Sequence, residues 1–259
     1  MLCAVLILLF LAFMKWMRFI LMPLYRIWFY FLLGAPIILL FPVLLVLTIS
    51  EKTYAQFFRV AQLWAVIVIY GMFWWPVIDR GAQMKKGVSY MLVANHTSMT
   101  DIMLMLMVAR NPFVFVGKAE LAKIPIFGFF YKRTCILVDR KDANSRLAVF
   151  KSASARLASG VGICIFPEGG VPVDRSIVLD NFKDGAFRLA IEHQIPVVPM
   201  SFYDNKKRFP FSFFHGSPGI MRVKTHEILE TKGMQLSGDK VRFRESVRAI
   251  MLNDLLKNK

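Results

Sequence analysis

Seven residues, Asn95 to Asp101 (NHTSMTD), hold a histidine, His96, and an aspartate, Asp101, five positions later. An imidazole takes a proton from a hydroxyl near neutral pH, and a carboxylate on its second nitrogen orients the ring and steadies the imidazolium that forms. On one regular helix the two side chains would point about 140° apart, because each residue advances by about 100°. They share a site only if His96 lies in a turn after a strand and Asp101 lies in the first turn of the next helix. The apolar run Val88 to Ala94 before the motif, and the apolar DIMLMLMVA that begins at Asp101, fit that strand and that helix. In this arrangement the substrate supplies the attacking hydroxyl, and no serine or cysteine nucleophile is needed. A plainer account competes: Ser98-x-x-Asp101 also reads as a helix start, where capping and the helix dipole favour an acidic residue.

Three further stretches follow in order. GKAEL (Gly117 to Leu121) leads through IPIFG to TCILVDR, which ends at Arg140; FPEGG spans Phe166 to Gly170; IPVVPMSF spans Ile195 to Phe202. With these four blocks the chain resembles the lysophospholipid acyltransferase family over about residues 73–202, and the 1-acyl-glycerol-3-phosphate acyltransferases are that family's best-known members. The resemblance implies roles. His96 is the general base and Asp101 orients it. Lys118 and Arg140 match basic positions that help hold the acceptor's phosphate, and Glu168 and Gly169 help form the acceptor site. One position departs from the pattern. The family's third block usually reads Glu-Gly-Thr-Arg, whereas this chain has Glu168-Gly169-Gly170-Val171, so a valine stands at the phosphate-binding arginine's place. Arg175 or Lys183 could supply the missing charge, and each reads equally as a solvated surface residue.

The implied reaction moves a fatty acyl group from a thioester, acyl-CoA or acyl carrier protein (ACP), to the hydroxyl of lysophosphatidate, giving phosphatidic acid. No cofactor is implied, and backbone N–H groups near the motif loops are the expected oxyanion donors. Other acceptors (a lyso-aminolipid or glycerol-3-phosphate) and a non-enzymatic lipid-binding protein of the same fold are the alternatives. A metal held by His96, Asp101 and Glu168 is not expected, since no ligand pair has recognised metal spacing. Cys3, Cys135 and Cys164 show neither metal spacing nor an obvious disulfide pairing, and the last two read as small buried hydrophobes.

Composition says where such chemistry would take place. The 259 residues are 56% hydrophobic and carry a net charge of +16, with a mean hydropathy of +0.51. Much of the apolar content falls in residues 1–72, expected as a membrane-associated helical segment ahead of an acyltransferase domain over 73–259. Between Arg26 and Glu51 lie 24 uncharged residues, enough to span a bilayer, which needs about 20. Pro36 and Pro42 interrupt them, so two half-helices dipping into one leaflet fit equally well. A second uncharged run, Val60 to Ile78, with Trp64, Trp74 and Trp75, reads as a membrane-contacting helix leading into a first strand. The positive charge suits membrane lipids and phosphate-rich or acidic partners; nucleic acid is disfavoured for want of any recognition motif. The expected location is the membrane, with the site at its cytoplasmic face.

Those residues require a particular scaffold. Strands are expected over 89–94, 113–116, 135–138, 161–166, 197–202 and 221–225, with helices over 100–109, 143–158 and 184–193. A final amphipathic helix places Phe243, Val247, Ile250 and Met251 on one face. Alternation of this kind predicts an α/β fold, a mixed central sheet flanked by helices as in glycerolipid acyltransferases, with the N-terminal helical segment attached.

Overall fold

The computed structural model describes residues 2–81, 83–139, 142–172, 174 and 176–258. Its centre is a seven-stranded mixed sheet. The strands are β1 (Trp74–Arg80), β2 (Met91–Ala94), β3 (Phe113–Lys118), β4 (Ile136–Val138), β5 (Gly162–Ile165), β6 (Val197–Phe202) and β7 (Gly219–Thr225). Their order is β1-β7-β6-β2-β5-β3-β4. From β6 to β4 all neighbours are parallel, while β7 pairs antiparallel with β6 and parallel with β1. The expected mixed α/β sheet is therefore observed.

Strand β2 shows why the centre reads as an unbroken apolar run. Its side chains alternate between two cores. Leu92 and Ala94 pack in one with Ala65, Val68 and Leu104; Met91 and Val93 pack in the other with Phe187, Val247 and Met251. Helices α3 (Tyr54–Gly71) and α4 (Asp101–Val108) contribute to the first core; α6 (Ala143–Ala158), α7 (Gly185–Glu192) and α9 (Leu236–Lys257) contribute to the second, and the short α5 (Phe127–Thr134) lies between β3 and β4 in the chain. Helix α6 keeps the bounds the sequence suggested, and Gly160 follows it with φ +77, as a helix stop requires. In α9 the buried stripe is Phe243, Val247, Met251 and Leu255, each four residues from the last. Ile250, expected on that face, is 37% exposed because it falls one position off the stripe.

In the N-terminal segment the helical run is interrupted once between Pro36 and Pro42. Helix α1 (Leu2–Leu39) runs on through Pro23 and Pro36, and the chain breaks at Leu40 before α2 (Phe41–Leu47). Pro42 sits in the first turn of α2, where its missing N–H costs nothing. Residues Trp16–Leu39 are long and apolar enough to cross a membrane, and Phe19, Leu24, Ile27 and Phe31 on this helix are more than half exposed. The run from Val60 departs from expectation. Ala65, Val68 and Ile69 of α3 are fully buried, so this helix belongs largely to the core. Trp74 is fully buried and donates its Nε1–H to Tyr25 Oη at 2.8 Å, so it packs in the core and presents no surface to headgroups. A tryptophan whose N–H finds a partner is a good core residue. Trp75, its neighbour on the opposite face of β1, is 55% exposed.

Candidate active site

Parallel pairing sets the C-terminal ends of β6, β2 and β5 side by side, and this edge is where open α/β sheets bind ligands. Asn95 and His96 follow β2, Phe166 to Glu168 follow β5, and Asp204 and Asn205 follow β6. Asn95 ties two of these ends together. Its amide donates to the Phe202 carbonyl at 2.9 Å, and its oxygen accepts from the Phe202 N–H at 2.7 Å.

The chain turns after His96 and enters α4 at Asp101, so the carboxylate folds back as the spacing requires. His96 Nδ1 lies 2.8 Å from Asp101 Oδ2. The same oxygen accepts the Thr97 N–H at 2.6 Å and the Ser98 N–H at 2.9 Å, while Oδ1 accepts the Asn205 amide at 2.7 Å. Asp101 is fully buried, and a buried carboxylate persists only when its lone pairs are met. Because Oδ2 only accepts, Nδ1 must carry the proton, which leaves Nε2 with a free lone pair. The ring stacks on Phe166, with centroids 4.4 Å apart. Imidazole orientation is thus fixed by a carboxylate on one edge and an aromatic ring on one face. The Thr97 and Ser98 N–H groups, which are spent on Asp101, are not available as oxyanion donors.

Glu168 braces the site. One oxygen accepts the His96 backbone N–H at 2.6 Å and the other accepts the Asp180 N–H at 2.9 Å. Burial raises its pKa above the usual carboxylate value, partly offset by those two N–H groups. Gly169 follows with φ +81, a left-handed conformation natural to glycine. The Lys183 side chain folds over it, with Cε 2.8 Å and Nζ 2.9 Å from where a Cβ would stand.

A cavity of about 1160 Å³ opens beside His96 and Thr97. Its long apolar wall includes Leu44, Phe57, Phe58, Ala61, Trp64 and Phe130. Cations line it too: Arg18, Lys118, Lys206 and Lys207, together with His215. Of the sequence-predicted residues, His96 and Lys118 line this cavity, whereas Glu168 and Gly169 do not, Glu168 acting on it only through the His96 backbone; Gly170 and Val171 form part of the wall. Arg140 and Arg175 lie outside the described residues. Lys206, Lys207, Arg18 and Asn205 were missed by the motif reading. The only sequence signal for the first two and Asn205 was the polar cluster DNKKR directly after β6, at strand ends where α/β sites collect.

The remaining candidates are structural. Cys164 is buried, and burial pushes the Cys135 thiol up to about 12, so it stays protonated. His226 is buried with Nε2 2.8 Å from Ser201 Oγ, pinning β7 to β6. Among the described residues no group of three His, Cys, Asp or Glu side chains could hold a metal ion.

The sequence and fold have matches among known proteins. Residues 77–203 match the family model described as Acyltransferase. The 1-acyl-sn-glycerol-3-phosphate acyltransferase alpha of Mus musculus is 31% identical over 63% of this chain and 57% of its own length. A chloroplastic 1-acyl-sn-glycerol-3-phosphate acyltransferase of Arabidopsis thaliana is 28% identical over 73% of this chain and 49% of its own. The chain thus spans about half the length of these curated relatives. In fold it is similar to the crystal structure of PlsC, the 1-acyl-sn-glycerophosphate acyltransferase of Thermotoga maritima, with a TM-score of 0.76 and 23% identity, covering 93% of this chain and 97% of that one. Residues 77–203, just under half of the chain, thus carry the sequence pattern described by the Acyltransferase family model.

Proposed function

We propose that this protein transfers a fatty acyl group from a thioester to the free hydroxyl of 1-acyl-sn-glycerol-3-phosphate, giving phosphatidic acid. The observation that carries the reading is His96, held by Asp101, opening onto a large and mostly apolar cavity. His96 Nε2 takes the proton of the acceptor hydroxyl while that oxygen attacks the thioester carbonyl carbon. The tetrahedral oxyanion collapses, the C–S bond breaks, and the thiolate leaves with the proton from Nε2. Proton and electron pairs balance without a cofactor. Asp101 stabilises the imidazolium throughout and does not itself need to move. Thr97 Oγ1, buried in the cavity wall with no partner among the described residues, supports a role as donor to the oxyanion.

The apolar wall suits the acyl chain, since moving it there removes hydrocarbon from water. Lys118, Lys206, Lys207 and Arg18 suit the acceptor's phosphate and take over from the arginine replaced by Val171. Arg140 joins them on the resemblance alone. The donor is acyl-CoA or acyl-ACP, both of them anionic and matched to a chain of net charge +16. The anionic cytoplasmic leaflet attracts the same basic surface, which favours a site at that face.

The test gives the purified full chain labelled acyl-CoA and acyl-ACP, with lysophosphatidate, glycerol-3-phosphate or a lyso-aminolipid as acceptor. Lysophosphatidate is expected to be acylated fastest. Faster acylation of the lyso-aminolipid would overturn the headgroup assignment, and no ester product with any acceptor would overturn acyl transfer.

A further inference from the structure

We propose that the segment Pro210 to Gly216 is a membrane-inserted lip of the cavity mouth, and that the surface it enters is an anionic lipid bilayer. The segment joins α8 (Asn205–Arg208) to β7 and has the sequence PFSFFHG. Its outer side is apolar and wet, with Phe213 51% exposed and Phe214 39%, while Phe211, 59% exposed, stands at the rim and also lines the cavity. Its inner side is cavity wall, since Pro210, Ser212, His215 and Gly216 line the same space as His96. One short segment therefore has the reaction chamber on one side and exposed aromatic rings on the other.

These rings are not scattered. Phe213 and Phe214 meet edge to face at 5.1 Å, and Phe214 meets Phe19 of α1 at 4.9 Å. The patch is thereby continuous with the exposed apolar face of α1, the helix long enough to cross a membrane. Contiguous exposed apolar surface of this kind marks an interaction site, whereas single exposed hydrophobes need no explanation.

The lip is also built to hold its shape. Arg26, buried within α1, donates to the carbonyls of Pro210 at 2.6 Å, Ser212 at 2.7 Å, His215 at 3.0 Å and Phe213 at 3.2 Å. Its guanidinium also lies 4.1 Å from the centroid of the buried Phe209 ring. Arg18 adds a fifth bond, to the Phe214 carbonyl at 2.5 Å. Carbonyls that cannot be met by solvent inside a bilayer must be met by protein, and here a helix supplies two guanidinium groups to do it. The same bonds hold the phenylalanines outward.

Charge selects the bilayer over a second copy of the chain. Arg18, Lys206 and Lys207 sit on the wall next to the lip, and the whole chain carries +16. Such a surface repels its own copy and is drawn to anionic headgroups. With the rings sunk at the headgroup boundary, a lysolipid reaches His96 sideways from the leaflet.

The inference rests on the membrane association of α1, and its test does not require the acyl-transfer activity. In a full-length background with Cys3→Ser and Cys135→Ser, single cysteines replacing Phe213 or Phe214 carry the fluorophore NBD. The probe is a vesicle of phosphatidylglycerol and phosphatidylcholine. Expected on vesicle binding is a blue shift of NBD emission, with quenching by lipids spin-labelled near the top of the acyl chain. A label at Arg242→Cys, on the exposed face of α9, stays in water. If both lip labels remain water-exposed on bound protein, if the Arg242 label shifts as well, or if the lip labels are shielded before vesicles are added, the proposal falls. Insertion without acyl transfer by the wild type would sink only the proposed reaction; transfer without insertion would sink only the lip.

Discussion

The two ends of the cavity are held in place by opposite means. Around His96 every support comes from within the α/β body. Asp101 is fully buried and meets four donors from three residues of its own turn and from Asn205 after β6. Around the lip the supports come from α1, through Arg26 and Arg18, and the apolar side chains remain exposed. The first arrangement fixes one imidazole tautomer, as proton transfer requires. The second fixes a backbone and leaves its side chains for lipid. If this contrast is sound, damage at one end should leave the other end's property intact.

The largest effect is expected from Asp101→Asn. An amide cannot accept all four bonds, and an N–H turned towards Nδ1 reverses the tautomer, so the transfer rate should fall about 1000-fold. Vesicle binding should persist. Loss of both together, measured by flotation beside the rate assay, would erase the contrast. Next comes Arg26→Met, which strips four lip carbonyls of a buried charged donor; unfolding in denaturant should show a loss of about 2–3 kcal/mol. Here the impaired property should be transfer to acceptor embedded in vesicles. A variant as stable as wild type would mean that the guanidinium bonds do not hold the lip.

Asn205→Ala sharpens the picture at the His96 end. It leaves Asp101 Oδ1 without its 2.7 Å donor, and the rate should fall about 10-fold, equivalent to roughly 1.4 kcal/mol. Restoration by Asn205→Gln is not expected, because the longer side chain moves the amide.

The smallest effect concerns acid. Asp204 precedes Asn205 and accepts two bonds from the Arg222 side chain, at 2.8 and 2.9 Å, and one from its backbone N–H. Burial pushes the Asp204 carboxyl up, but the Arg222 bonds outweigh it and leave the pKa below the usual aspartate value. A depressed carboxylate stabilises the fold above the unfolded pKa of about 3.9 and loses that contribution as pH falls through the folded value. Arg222→Ala should therefore be less stable than wild type near neutral pH, and the gap should close as the pH falls below about 4. A gap independent of pH in denaturant midpoints would rule out the pair as its source.

What could be read from sequence follows the same division. The His96–Asp101 geometry was legible because both residues lie in one turn, where spacing alone excludes a shared helix face. Strand β6 and helix α6 kept their expected bounds, β6 in spite of Pro199 within it. Asn205 and Arg26 were invisible, since they meet their partners 104 and more than 180 residues away, and no local pattern marks such contacts. Trp74 was placed in the membrane interface on composition, whereas packing beneath Phe29 and Phe209 buries it. Val171 marked the place where the family pattern has an arginine, but only the fold brought Lys206 and Lys207 to the same cavity.

Among all these tests, the rate of acyl transfer to lysophosphatidate by purified His96→Ala bears most directly on the proposed base. An unchanged thermal unfolding profile with a rate at least about 1000-fold below wild type is the predicted result. A folded His96→Ala protein that acylates lysophosphatidate at the wild-type rate would contradict it.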